Sequence, residues 1–150
     1  MPVMSMPLVK TMGGNKPVEP HILFVDDNHD ICELVQVVLQ AAGFRVSTAD
    51  STAAALQLAA SERFDALLLD YWMPDLTGIE LCRRIRAFDQ NIPILICSGA
   101  VTQADREAAV LAGAQGYVNK PFYPNDLIRA VRTSLRRSGP LIEKLCYEPE

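Results

Sequence analysis

The chain is poor in the residues that most often announce a chemistry. It has two histidines, His21 and His29, and four cysteines, Cys32, Cys82, Cys97 and Cys146. The cysteines show no CxxC or other zinc-ligand spacing, and neither histidine has a Cys/His cluster beside it, which argues against a zinc site or a histidine catalyst. Three of the cysteines lie inside apolar segments, the pattern of reduced core thiols in a cytoplasmic protein rather than of a disulfide framework. No apolar run approaches the ~18 residues of a membrane span. Met1 to Met12 holds one lysine and no apolar stretch of the secretory kind. Positive charge is scarce too: 14 Lys and Arg stand against 18 Asp and Glu, so no broad basic face is available to a nucleic acid. Neither a membrane nor a nucleic acid is an expected direct partner.

What is present is one domain's worth of apolar residues. A chain of 150 residues that is 49% hydrophobic can fold around one well-formed core but not around two. Residues 1–20 carry Pro, Gly and Met with little periodicity and read as a flexible leader, with Met4, Met6 and Met12 as alternative starts. From His21 onward strands and helices alternate. His21–Asp26 is a short apolar run of the kind buried on both faces of a sheet. Ile31, Leu34, Val35, Val38, Leu39 and Ala42 then trace one face of a helix, closed by Gly43. Phe44–Ala49 is a second strand, and Ser51 caps the alanine-rich helix Thr52–Ser61. Phe64–Asp70 is a third strand and Thr77–Phe88 a third helix. Pro93 opens the strand Ile94–Cys97. The helix Thr102–Ala112, closed by Gly113, has a weak stripe made mostly of alanine. Gln115–Asn119 is the least apolar strand and is placed at a sheet edge. Pro124–Arg137 is the last helix, with proline in its first turn and Leu127, Ile128, Val131 and Leu135 facing inward. Residues 138–150, with Leu141, Ile142, Leu145 and Cys146, read as a short frayed tail able to form one amphipathic turn. Five β-α units imply an α/β fold: a parallel sheet with right-handed crossovers and helices on both faces. There is no internal repeat beyond that alternation.

Four charges stand at predicted strand ends: Asp26 and Asp27 after the first strand, Asp70 after the third, Lys120 after the fifth. In an open parallel sheet the ligand crevice lies at the carboxyl ends of the strands, so these groups should meet. Two like charges about 4 Å apart repel by roughly 4 kcal/mol at a surface-like dielectric, and three carboxylate pairs approach roughly 12 kcal/mol before screening. One lysine cannot cancel that. A hard divalent cation can, and Mg²⁺ takes oxygen ligands while keeping open positions for water or phosphate.

The segments Phe24-Val25-Asp26-Asp27, Leu69-Asp70-Tyr71-Trp72-Met73-Pro74-Asp75-Leu76-Thr77-Gly78, Cys97-Ser98-Gly99-Ala100 and Tyr117-Val118-Asn119-Lys120-Pro121-Phe122, in that order, resemble the receiver domain of two-component response regulators. The likeness runs from about His21 to Arg137. It implies a flavodoxin-like doubly wound sheet, (βα)5, with strand order 2-1-3-4-5. It implies that Asp70 is the phosphoacceptor, that Asp27 binds Mg²⁺ directly and Asp26 through water, and that Asp70 and the backbone carbonyl of Trp72 complete the metal site. Lys120 would neutralise the transferring phosphoryl group, across a cis Lys120–Pro121 peptide. Ser98 would hydrogen-bond a phosphoryl oxygen, and Tyr117 would rotate inward behind it as a switch. The positions of Trp72 and Ala100 would tune how fast water removes the phosphoryl group. Arg132, Arg136 and Arg137 read as complements to a helix C-terminus, with a docking patch as the alternative.

The resemblance implies a sensor histidine kinase or histidine phosphotransfer protein as donor, and a protein target reading the fourth helix, fifth strand and fifth helix. Residues 138–150 are too few for a helix-turn-helix or catalytic output domain, so the expectation is a stand-alone receiver, domain 21–137. The alternative is a receiver module excised from a longer regulator or hybrid kinase. Such a protein catalyses only its own phosphorylation and dephosphorylation and is not otherwise an enzyme. An aspartyl-phosphate phosphatase would need an Asp where Trp72 stands, and a flavin-binding protein of this fold would need a hydroxyl- and glycine-rich loop after the first strand. Gln115-Gly116, in place of acidic residues before Tyr117, argues against pairing through the fourth-helix face.

Overall fold

The structure, a computed structural model, describes residues 18–99 and 102–136. Ala100, Arg137, Cys146, most of the leader and the whole tail lie outside them. The elements are β1 (His21–Val25), α1 (His29–Ala41), β2 (Arg45–Ala49), α2 (Thr52–Ser61), β3 (Ala66–Asp70), α3 (Gly78–Arg86), β4 (Ile94–Ser98), α4 (Gln103–Ala112), β5 (Gly116–Asn119) and α5 (Pro124–Arg136). The strands form one parallel sheet in the order β2-β1-β3-β4-β5, as expected, with β5 at an edge. No helix among the described residues is long and apolar enough to cross a membrane.

Every residue of β1, β3 and β4 is buried, which is why these strands read as near-continuous apolar runs. The pleat sends alternate residues to opposite faces. Leu23, Val25, Leu67, Leu69, Ile94 and Ile96 pack on one face with residues of α2, α3 and α4. Ile22, Phe24, Leu68, Leu95 and Cys97 pack on the other with Cys32, Val35 and Leu39 of α1 and Leu127 and Val131 of α5.

Local chemistry sets the element ends, and it moves several of them. Thr77 and Thr102 are caps, not first helical residues: their hydroxyls accept from the backbone N–H of Glu80 (3.1 Å) and Asp105 (3.0 Å), the competition that favours threonine just outside a helix. Asn28 caps α1 through Ile31 N–H (3.2 Å), starting that helix at His29. Ser51 caps α2 through Ala54 N–H (3.1 Å). Phe44 falls outside β2 because its N–H bonds the Leu39 carbonyl of α1 (3.1 Å) instead of a strand partner. Gly43 and Gly113 follow α1 and α4 with φ of +100° and +108°, a region that disfavours any side chain with a Cβ. Arg132 complements a helix C-terminus, though not its own: its guanidinium donates to the Ala42 carbonyl at the end of α1 (3.2 Å) and lies over Phe44.

Candidate functional site

The three strands that end in charged residues bring those residues together. Ligand oxygens of Asp26, Asp27 and Asp70 all lie within 4.8 Å of one another. Asp26 and Asp70 are buried, at 1% and 5% exposure, while Asp27 is exposed. Lys120 reaches in from beyond β5, and its Nζ donates to Asp26 Oδ2 (2.7 Å) and Asp70 Oδ1 (2.9 Å). Asn28 N–H donates to the other oxygen of Asp26 (2.9 Å). The Lys120–Pro121 peptide is cis.

Burial pushes the Asp70 carboxyl above its ordinary range; the Lys120 hydrogen bond opposes that, and neighbouring Asp26 adds to it. For Lys120, burial favours the neutral amine, but its bonds to Asp26 and Asp70 outweigh burial and hold it above the ordinary lysine value. The ammonium is therefore charged; Asp26 and Asp70 share it, and Asp27 beside them has no bond to it. The donor set is oxygen only, partly open to solvent through Asp27, and under-compensated in charge. Those properties fit a hard divalent cation such as Mg²⁺ rather than a soft metal.

The loop after β3 is built to be rigid. Tyr71 N–H donates to the Cys97 carbonyl (2.8 Å), Gly78 N–H donates to the Tyr71 carbonyl (2.7 Å), and Trp72 bridges Thr77. A Cβ on Gly78 would fall on the Asp70 carbonyl oxygen; that close approach is the physical reason for the Thr77-Gly78 pair. Met73 is buried, and Asp75 accepts from Thr52 Oγ1 (2.6 Å), fastening the loop to α2. The Trp72 backbone N–H favours the Asp70 carboxylate form, but the residue is 65% exposed and its indole stacks on Tyr71, with centroids 4.8 Å apart and planes 15° apart.

Ser98 is buried at the end of β4, in register with Asn119. Tyr117 is buried at 6% exposure, with its hydroxyl donating to the Asp105 carbonyl of α4 (3.0 Å). Burial pushes its phenol up to about 12. The ring thus stands inward in this structure. The histidines lie elsewhere: His21 pairs with Ser47 (2.8 Å) inside the sheet, and His29 pairs with Asp50 (3.0 Å) on the surface. Cys32, Cys82 and Cys97 are free and buried. Burial raises all three thiols, the first two to about 11, so they are poor nucleophiles.

Sequence reasoning passed over two groups. Gln115 was read as the first residue of the fifth strand and as a missing acid; it lies just before β5, and its buried Oε1 accepts from Ile94 N–H (2.6 Å) and from Arg86 (3.1 Å), while Arg86 also donates to the Gly113 carbonyl (2.8 and 3.0 Å). Tyr71 donates its hydroxyl to Asp105 Oδ1 (3.1 Å). The only advance signal was Thr102 three residues before Asp105, a capping-box spacing; nothing marked Tyr71.

Comparison with known proteins gives a consistent result. Residues 22–132 match the response regulator receiver domain. The transcriptional regulatory protein PrrA of Mycobacterium leprae is 39% identical over 120 residues, 80% of this chain and 52% of that protein. The chain thus spans about half the length of the curated relatives it matches. Among solved structures, the Vibrio cholerae chemotaxis protein CheY4 superposes with a TM-score of 0.77 at 32% identity, covering 79% of this chain and all of that one. The receiver domain of the sensor histidine kinase PA1611 from Pseudomonas aeruginosa, solved with a magnesium ion coordinated in its active-site cleft, gives 0.73 at 30% identity, covering 79% and 99%. With the parallel sheet in its observed order and the acidic cluster at its carboxyl edge, the chain belongs to the response regulator receiver domain family of two-component signalling.

Proposed function

We propose that Asp70 accepts a phosphoryl group from a phosphohistidine of a sensor kinase or phosphotransfer protein, within a cytoplasmic phosphorelay. The observation that carries this is the buried Asp70 carboxylate, 2.9 Å from the Lys120 ammonium and beside two further acidic ligands. An Asp70 oxygen attacks phosphorus, the P–N bond to the donor imidazole breaks, and the imidazole leaves. The chain's own residues contribute position and charge, which dominate phosphoryl-transfer catalysis. Asp26 holds Lys120 in place, and Lys120 opposes the negative charge that collects on the phosphoryl oxygens. Ser98 donates to one of those oxygens. Asp27, Asp70 and the Trp72 carbonyl, with Asp26 through water, would hold a Mg²⁺ ion, which would supply the remaining charge neutralisation.

The output leaves through α4, β5 and α5 as a contact with a protein, and Ser98 and Tyr117 carry the change to that face. The reading applies to the receiver in either setting, free or joined to an effector domain. Acetyl phosphate with Mg²⁺ tests it by intact-mass measurement. One phosphoryl group should add to the native protein, none to Asp70→Asn, and none without the metal. Lys120→Ala should react slowly. Modification that persists in Asp70→Asn refutes the assignment.

A further inference from the structure

We propose that Tyr71 is a second positioning residue of the switch: its hydroxyl ties the loop beside the phosphoacceptor to the first turn of α4, at the same residue whose carbonyl receives Tyr117. The proposal rests on Asp70 being the phosphoacceptor and adds a route by which its state reaches α4.

The main chain of Tyr71 has no freedom of its own. It directly follows Asp70, its N–H is bonded to β4 and its carbonyl to the start of α3. Any displacement of the Asp70–Trp72 backbone therefore moves the Tyr71 ring. The half-buried ring ends at Asp105 Oδ1, 3.1 Å away. Asp105 already serves α4: its other carboxylate oxygen accepts the Thr102 N–H (3.1 Å), and its own N–H donates to Thr102 Oγ1 (3.0 Å). This closes a reciprocal capping box. Tyr117, from β5, donates to the Asp105 carbonyl (3.0 Å). Two tyrosines, one from the loop after β3 and one from β5, thus converge on one residue, the first on its side chain and the second on its main chain.

Apolar packing anchors this helix weakly, since its buried residues are Ala109 and Ala112 alone. The Tyr71 bond ends on an anion, because the Thr102 N–H first, and then the hydroxyls of Thr102 and Tyr71, keep the Asp105 carboxyl below the ordinary carboxylate range. Hydrogen bonds to ionised acceptors are the stronger kind. A tyrosine that merely packs would need no such partner; the stacked Trp72 ring already covers one of its faces.

The test uses the whole chain with Mg²⁺ and beryllofluoride. Fluorine NMR reports occupancy at Asp70, and amide exchange of residues 103–112 reports the response of α4. Couplings between sites amount to about 5–150-fold in an equilibrium constant. Tyr71→Phe, which removes only the hydroxyl, should bind beryllofluoride as the native protein does, yet shrink the change in α4 exchange about fivefold or more. Asp105→Asn keeps one oxygen to accept the Thr102 N–H and can donate its NH2 to the Tyr71 oxygen, so it should retain the response, whereas Asp105→Ala should lose it. A native-sized α4 response in Tyr71→Phe overturns the coupling and leaves the phosphoacceptor reading standing. Loss of beryllofluoride binding in Tyr71→Phe also overturns it, because the hydroxyl would then be building the pocket. A native protein that binds no beryllofluoride overturns both.

Discussion

Helices α1 and α4 pack on opposite faces of one sheet, and both begin at the charged site, yet they are held by different forces. Helix α1 buries Cys32, Val35 and Leu39, and its C-terminal carbonyl is fastened by Arg132. Helix α4 buries only Ala109 and Ala112, and Leu111 is left 85% exposed. Its position is fixed by polar contacts instead: Tyr71 and Tyr117 at its first turn, Arg86 and Gln115 at its end. Burying a Val or Leu side chain contributes about 1.5–3 kcal/mol, against ~0.8 kcal/mol for one methylene-sized group. Apolar contact is non-directional and tolerates small shifts, whereas a hydrogen bond is made or lost over a fraction of an ångström. The comparison teaches which helix the site can move. The Tyr71 and Tyr117 tethers at the start of α4 lead back to the loop after Asp70 and to β5, so the site can bias α4 without unfolding the domain, as elements of low local stability allow.

The largest effect separates the two helices by burial. Leu39 is fully buried on α1, and Leu39→Ala should destabilise the protein by about 2–5 kcal/mol. Ala109→Gly, at the best-buried position of α4, should cost about 1 kcal/mol. Urea denaturation of both variants measures the difference. Equal costs would mean that α4 is anchored by apolar packing after all.

The next effect compares the two glycines that end these helices. A Cβ at Gly43 meets nothing within 4 Å, whereas a Cβ at Gly113 would strike the Arg86 side chain. Gly43→Ala should therefore cost only the backbone penalty of a positive φ, about 1–2 kcal/mol. Gly113→Ala should add the loss of Arg86 hydrogen bonds, about 1 kcal/mol each. If the clamp is the cause, an Arg86→Ala background removes the extra cost in a double-mutant cycle. If the excess survives there, Arg86 does not hold the end of α4.

A third measurement uses the cation. Mg²⁺ at ten times its dissociation constant should raise global stability by about 1.4 kcal/mol. Amides of β1 and α1 that exchange through global unfolding should slow together, while first-turn amides of α4, which open locally, should slow less. Uniform protection of both helices would remove the distinction drawn between them, and an unchanged unfolding midpoint would count against the metal site.

Much of this was legible in the sequence, and the reasons differ by region. The central strands are buried on both faces, so Ile22–Val25, Ala66–Leu69 and Ile94–Cys97 appear as plain apolar runs. The charges that end the strands must then converge, because a parallel sheet puts all its carboxyl ends on one side. Even the looseness of α4 showed, as an alanine stripe. What escaped were pairings between side chains far apart in sequence: Tyr71 with Asp105 is a separation of 34 residues and Arg86 with Gln115 one of 29. No periodicity or cap spacing records such a bond. Helix ends escaped for a related reason, since Thr77 and Thr102 look helical until their hydroxyls are seen accepting backbone N–H groups. The exposed, stacked indole of Trp72 was also out of reach, because residue type does not say which way a side chain turns.

The smallest effect is the most specific to the polar hold on α4. The α1 cap is the amide of Asn28, which does not titrate, whereas the α4 capping box depends on the Asp105 carboxylate. Because the Thr102 N–H and the hydroxyls of Thr102 and Tyr71 depress the folded-state pKa of Asp105, its contribution is complete above the unfolded value, near 3.9, and is lost as pH falls through the lower folded value. Amide exchange in the first turn of α4, corrected for intrinsic rate, should therefore accelerate in that acid window relative to β1. The same turn in Asp105→Asn should show no such acceleration, since the amide keeps the cap and has no proton to gain. If the variant accelerates in step with the native protein, the loosening comes from another group, and the carboxylate at the meeting point of Tyr71 and Thr102 is not what holds α4 to the site.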